Sequence, residues 1–417
     1  MKTKGVRLYG KNDVRYEEFD LPPLKDDEIL VKVISDSICM SSWKTVQMGE
    51  DHRRTPNDLS KEPVLLGHET AGEILEVGAK HRDKFKPGQK FALQPALGLD
   101  WSPANPGYSY SFCGGGSQYA IMPAEVMDTG SLLEYNGEGF FAASLAEPIS
   151  CIISAYKSMY HNVPGKYEHI MGIKKGGKKA ILAGCGPMGL GAIDYTIGGP
   201  VKPSLLVVTD VDQARIDRAA SIFTKEYAQK RGVEIHFVNT SKMENSVAAL
   251  RELTGGTGFD DVSVFAPVPA LVEEADKIIG HDGCINFFAG PANKDFEATV
   301  NFYNVHYTSS HFIGTTGANT DDMKDALELT AKGEINPACM ITHIGGLDVY
   351  AETTCNLPKL DGGKKLVYTH LELPLTAIED FGKLGESDPR FKVLDEICGR
   401  NNGLWNPEAE KYLLENF

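Results

Sequence analysis

Two regimes of hydrophobic patterning divide the chain. Through about residue 165, apolar positions come in short strand-like runs such as Glu28-Ile-Leu-Val-Lys-Val-Ile34 and Glu73-Ile-Leu-Glu-Val77, punctuated by Gly and Pro. Runs of that length between turn residues predict a β-rich domain. Near residue 178 the pattern changes. Lys179-Ala-Ile-Leu-Ala183, Leu205-Leu-Val-Val-Thr209, Glu234-Ile-His-Phe-Val238, Asp261-Val-Ser-Val-Phe265 and Cys284-Ile-Asn-Phe-Phe288 are apolar runs separated by helix-compatible stretches. That alternation predicts an α/β unit with a doubly wound parallel sheet. After about residue 310 it fades, and the tail is expected to rejoin the first domain. The predicted organisation is a β-rich catalytic domain formed by residues 1–168 and 311–417, with a nucleotide-type domain, 169–310, inserted between them.

The first α/β turn carries chemistry. Gly184-Cys185-Gly186-Pro187-Met188-Gly189 fits G-x-G-x-x-G, follows a strand run, opens a helix, and is followed by Asp210 at the end of the next strand run. Glycines there permit a tight turn and close backbone approach to a pyrophosphate. The unpaired amides and dipole of the helix N-terminus favour that anion. Asp210 is positioned to accept from adenosine ribose hydroxyls. Its charge opposes a 2′-phosphate, so NAD is favoured, with NADP the alternative because Arg215 lies close by. Arg215 is otherwise read as a surface or packing residue of the following helix.

Composition narrows the function classes. The chain has 417 residues and a net charge of −15, which works against nucleic acid as a partner. No run of about 18 apolar residues occurs, so no membrane span is expected. The N-terminus runs directly into Val6-Arg7-Leu8-Tyr9 without the apolar core of a secretory signal, so a cytoplasmic location is expected. The eight cysteines are scattered and none forms Cys-x-x-Cys, which excludes a disulfide framework. Most are expected to be small buried residues.

A second constellation precedes residue 150. Cys39 follows a strand run, Gly67-His68-Glu69 lies further along, and Glu147-Pro148 further still. Taken singly, a cysteine is a packing residue and a His-Glu pair a satisfied polar pair. Converging, a Cys, a His and a carboxylate make a three-ligand catalytic zinc site with one open position, where the metal acts as a Lewis acid on a carbonyl.

These segments occur in a family order. Gly67-His68-Glu69-Thr70-Ala71-Gly72, Val77-Gly78, Phe85-Lys86-Pro87-Gly88-Gln89-Lys90, Gly116-Ser-Gln-Tyr119, Glu147-Pro148, the Gly184–Gly189 turn and Asp210 together resemble the zinc-dependent medium-chain alcohol and polyol dehydrogenases. The resemblance implies a GroES-like catalytic domain joined to a Rossmann domain, one catalytic zinc, and a nicotinamide cofactor. It implies that Cys39, His68 and Glu69 or Glu147 hold the metal, the choice between the glutamates being open. Ser41 matches the family's Ser/Thr that passes the substrate proton outward. Where the family often has a His that ends the proton relay, this chain has Lys44, so release runs through Lys44, water or another His such as His52. The family's four-cysteine lobe is absent, replaced by Asp100-Trp-Ser-Pro-Ala-Asn-Pro-Gly-Tyr-Ser-Tyr110, and no structural zinc is expected. Within the family the resemblance is nearest to the bacterial L-sorbose 1-phosphate reductases, which implies a sugar phosphate or polyol substrate, a homodimer or homotetramer, and a cationic recess for phosphate. Lys44, Arg53 and Arg54 are candidates for that recess, with Lys364-Lys365 weaker ones.

Overall fold

The computed structural model describes all 417 residues, which form two compact units. One comprises Met1–Glu147, Asn319–Ala331 and Met340–Phe417; the other comprises Pro148–Ala318 and Lys332–Cys339. No helix is long and apolar enough to cross a membrane.

The first unit is built on a mixed sheet. Its strands run in the order Thr376–Ala377, Ile341–Gly346, Lys364–Tyr368, Ile29–Ile38, Thr70–Val77, Lys90–Leu93, Leu132–Glu134, and Tyr119–Met122 also pairs with Ile29–Ile38. Strand Ile29–Ile38 explains the arrangement. Its first half alternates, with Ile29, Val31 and Val33 buried against Ile74, Phe91, Leu93 and Met122. From Val33 onward every residue is buried, because both faces are covered there. The tail supplies the neighbour on one side: Lys365 pairs with Ile38 and Tyr368 with Ser35. Lys2–Gly10, Asp13–Asp20 and Val64–Leu65 form a smaller sheet.

The tail also anchors the helix Phe140–Ser158. The Glu410 carboxylate accepts from the amides of Phe140 (2.5 Å) and Phe141 (2.8 Å) and from the Tyr368 hydroxyl (2.8 Å). A carboxylate at a helix N-terminus meets both the unpaired amides and the dipole. Burial nevertheless pushes the Glu410 carboxyl up to about 7. The anchored helix carries Glu147 two turns further on.

The second unit is a six-stranded parallel sheet in the order Glu234–Asn239, Leu205–Asp210, Lys178–Leu182, Phe259–Val264, Ile279–Phe287, His311–Ile313. This is the 3-2-1-4-5-6 order of a dinucleotide-binding fold. Each residue of Leu205–Asp210 is buried, as expected for a strand covered on both faces.

The unit boundaries fall at Glu147/Pro148 and Ala318/Asn319 rather than after 168 and 310. A polar network accounts for the first difference: His161 bonds through Nε2 to Asp261 Oδ1 (3.2 Å) and through Nδ1 to the Asp282 carbonyl (2.8 Å), tying the Tyr160–Asn162 strand to the parallel sheet. The sixth parallel strand, His311–Ile313, accounts for the second. The eight cysteines are free, and five of them are buried.

Candidate active site

Cys39 stands where strand Ile29–Ile38 ends and helix Met40–Met48 begins, as the N-cap residue. His68 and Glu69 lie on the connector between Val64–Leu65 and Thr70–Val77. Gly67 makes that connector feasible. Its φ is +97°, and a Cβ there would lie 2.5 Å from the Gly116 amide nitrogen and 2.7 Å from Asp36 Oδ2. Asp36 braces the connector from beneath, accepting from Thr70 Oγ1 (2.9 Å) and the Tyr350 hydroxyl (2.6 Å). Burial raises its carboxyl to about 6.

The result is a compact donor set. One ligand atom each from Cys39, His68 and Glu69 lies within 4.8 Å of the others. Ser41 Oγ is 3.0 Å from Cys39 Sγ and 3.2 Å from His68 Nε2, while Ser42 Oγ is 3.4 Å from His68 Nδ1. Glu69 is fully buried; its Oε1 is ion-paired with Lys364, and its Oε2 has no hydrogen-bond partner. An orphaned buried carboxylate oxygen is costly unless something electropositive meets it. A sulfur, an imidazole nitrogen and that oxygen suit zinc. Glu147 is buried as well, and burial, reinforced by the Glu69 and Cys39 charges, pushes its carboxyl up to about 8. Burial likewise raises the Cys39 thiol.

The structure corrects one reading of the basic residues. Lys364 and Lys365 are buried rather than lining a recess. Lys364 pairs with Glu69, and Lys365 Nζ donates to the Asp361 and Gly363 carbonyls. Strand Lys364–Tyr368 is interior, so its lysines must find partners inside. Lys44 is half-buried on helix Met40–Met48, and burial lowers its pKa. Arg53 is exposed and Arg54 half-buried.

One residue at the site has no signature in the sequence. Tyr108, from the Pro- and aromatic-rich segment after Asp100, is buried with its hydroxyl 3.2 Å from His68 Nε2 and its ring 4.8 Å from the His68 ring between centroids. Only its position in a segment replacing a cysteine lobe drew notice to that stretch.

In the other unit, Gly184 to Gly189 link strand Lys178–Leu182 to helix Pro187–Gly198. The glycines do different work. A Cβ at Gly189 would lie 2.1 Å from the Gly184 carbonyl oxygen, so helix and turn pack too closely for any side chain. A Cβ at Gly186 would meet nothing within 4 Å, leaving open space over the helix N-terminus, where Pro187 is the first residue and Met188 the second. Asp210 ends its strand and accepts from the amides of Cys185 (3.1 Å), Val211 (2.8 Å) and Asp212 (3.1 Å). A carboxylate has about four acceptor positions, so capacity remains for a further donor. Arg215 lies 3.8 Å from the partly exposed Asp212, on helix Gln213–Ile222.

Comparison with known proteins finds two family matches. The alcohol dehydrogenase GroES-like domain matches residues 25–133, and the zinc-binding dehydrogenase domain matches residues 206–332. Mannitol-1-phosphate 5-dehydrogenase of Aliivibrio fischeri is 49% identical over 99% of this chain and 98% of its own. L-sorbose 1-phosphate reductase of Klebsiella pneumoniae is 45% identical over 99% and 97%. In fold, 2R,3R-butanediol dehydrogenase of Bacillus subtilis superposes with a TM-score of 0.71 at 23% identity, over 88% of this chain and 100% of that one. The chain belongs to the zinc-binding, medium-chain alcohol dehydrogenase family, and it is an oxidoreductase acting on CH–OH groups.

Proposed function

We propose that this enzyme transfers a hydride between a nicotinamide dinucleotide and the carbinol or carbonyl carbon of a phosphorylated acyclic sugar, reducing L-sorbose 1-phosphate to D-glucitol 6-phosphate. The observation that carries the chemistry is the convergence of Cys39, His68 and Glu69, with Glu69 Oε2 unpartnered. Support for the substrate class comes from the two full-length relatives, both of which are named for sugar-phosphate substrates. The mannitol-1-phosphate relative favours a second reading within the class, a hexitol 1-phosphate oxidised at C5. An unphosphorylated polyol or threonine-type substrate is the reading to be excluded.

Cys39, His68 and Glu69 would hold the zinc, with Glu147 beside them. Bound zinc supplies Lewis acidity toward the substrate oxygen. The nicotinamide carries the hydride, and this chain orients it. Gly186, Met188 and Gly189 present backbone amides to the pyrophosphate, with Gly184 forming the turn and Pro187, which has no N–H, opening the helix, and Asp210 accepts from the ribose, favouring NAD. Ser41, bonded to both Cys39 and His68, is placed to hand a proton to or from the substrate oxygen. Lys44, its pKa lowered by burial, is the next proton carrier in this reading. The Tyr108 hydroxyl meets the same His68 nitrogen, Nε2.

The test follows reduced-cofactor absorbance with NADH and NADPH separately. The substrates are L-sorbose 1-phosphate, mannitol 1-phosphate and the free sugars, before and after chelation. Chelator-sensitive turnover of a phosphorylated substrate supports the reading. Turnover of free polyols alone overturns the substrate class, and full activity after verified zinc removal overturns the metal assignment.

A further inference from the structure

We infer that Tyr108 is a positioning residue of the metal centre, its ring setting the orientation of the His68 imidazole for zinc. This rests on the reading of Cys39, His68 and Glu69 as the zinc ligands, and it gives the Pro- and aromatic-rich segment after Asp100 a task at that site.

The segment is pressed onto the connector that carries His68. Gly107 has φ +77°, and a Cβ there would lie 2.2 Å from the Gly67 carbonyl oxygen and 3.0 Å from His68 Cβ. Only glycine permits that approach with that backbone. The Gly107 amide donates to the Cys113 carbonyl at 3.0 Å, and the Tyr108 amide donates to the Asn105 carbonyl at 3.2 Å. The path of the chain is thus fixed on both sides of the contact. Tyr108 follows, buried, with its ring centroid 4.8 Å from that of His68 and 33° between the planes.

The Tyr108 ring is itself held. The His52 ring stacks on it at 5.6 Å with 9° between planes, and the Arg54 guanidinium carbon lies 5.2 Å from its centroid. Close-packed side chains leave little room for rotation, so the fixed ring limits how far the His68 imidazole can turn.

Hydroxyl groups then divide the two imidazole nitrogens. With Ser41 Oγ donating to Cys39 Sγ at 3.0 Å, the Tyr108 hydroxyl, 3.2 Å away, is the donor to His68 Nε2. Ser42 Oγ, 3.4 Å from Nδ1, accepts the proton on that side. A ligating imidazole needs exactly one lone pair toward the metal and its other nitrogen hydrogen-bonded. Zinc would take the lone pair that the Tyr108 hydroxyl now meets. Ring and hydroxyl therefore act differently: the ring holds the imidazole in place, and the hydroxyl gives way to the metal.

The experiment measures the zinc dissociation constant of the full chain by chelator competition in wild type, Tyr108→Phe, Tyr108→Leu and His52→Ala. Loss of a group that orients a metal-binding histidine costs about 10- to 100-fold in metal affinity, and Tyr108→Leu should show that loss. Tyr108→Phe keeps the ring and should bind zinc at least as tightly as wild type. His52→Ala loosens the Tyr108 ring without removing it and should weaken zinc by a factor of up to about ten, the worth of one aromatic pair; it carries the test if the Leu variant does not fold, which urea unfolding of the zinc-free forms reveals. A merely structural role would leave the zinc constant of the folded chain unchanged. An unchanged constant in Tyr108→Leu, or in His52→Ala where the Leu variant does not fold, overturns the inference, as does a loss in Tyr108→Phe equal to that in Tyr108→Leu; the proposed ligands stand in each case. Zinc uptake by wild type that is indifferent to Cys39→Ala overturns the ligand reading and the inference with it.

Discussion

Replacing Lys364 with Met should weaken the zinc-free protein and strengthen its grip on zinc. The Lys364 side chain is 4% exposed and its partner Glu69 fully buried. Removing one member of a buried pair leaves an uncompensated charge, a loss of about 3–5 kcal/mol. Methionine keeps the length and apolar stem, so cavity formation adds little. In the proposed site zinc would change the balance, because its charge would meet the same carboxylate that Lys364 now neutralises. The ammonium repels a cation there; two unit charges about 5 Å apart interact by about 3 kcal/mol at an effective dielectric of about 20. Relaxation reduces that figure, so we expect the zinc dissociation constant of Lys364→Met to fall at least about tenfold, or about 1.4 kcal/mol. The stability loss should be smaller by the same amount with zinc than without. Chelator competition gives the affinity, and urea unfolding of zinc-free and zinc-loaded protein gives the stabilities. Equal losses in both forms, or unchanged or weaker zinc binding, would refute the argument that metal and ammonium compete for Glu69.

Three further outcomes are expected. Gly186→Ala should leave the unfolding free energy from urea titration within about 0.5 kcal/mol of wild type yet weaken NADH binding by fluorescence titration, because its Cβ enters open space; Gly189→Ala, with a Cβ 2.1 Å from a carbonyl oxygen, should destabilise the fold, and the reverse order would contradict the turn geometry. Glu410 has a folded pKa raised from 4.5 to about 7, so the folded state binds its proton more tightly, and stability should decline as pH rises across that window by about 3 kcal/mol; Glu410→Gln should remove that part of the slope in urea unfolding at pH 5 to 7. Asp210→Ser should raise the NADPH-to-NADH affinity ratio at least about tenfold, since a unit charge beside the 2′-phosphate is removed; an unchanged ratio would show that Asp210 only holds the three amides it already bonds.

Local pattern made much of this protein readable from its residues. Strand and helix periodicities are short-range, so the parallel sheet, the Gly184–Gly189 turn with Asp210 after it, and the separation into β-rich and α/β parts were visible without coordinates. Cys39 and His68-Glu69 were singled out by their resemblance to the zinc-site segments of the family, since each taken singly reads as a packing or polar residue. Contacts over long separations were decided only by the tertiary structure. Tyr108 reaches His68 across 40 residues, and Lys364 reaches Glu69 across 295. Nothing local distinguishes a buried lysine from a solvated one; Lys364 is interior because the tail strand is inserted beside Ile29–Ile38. The Arg54 guanidinium is oriented by Asn105 and Tyr108, which lie on a different loop. The sequence by itself determined which chemical groups were available and which elements bear them. Burial and packing between distant segments decided which of those groups meet, because a side chain's partner depends on the strand laid beside it rather than on its neighbours along the chain.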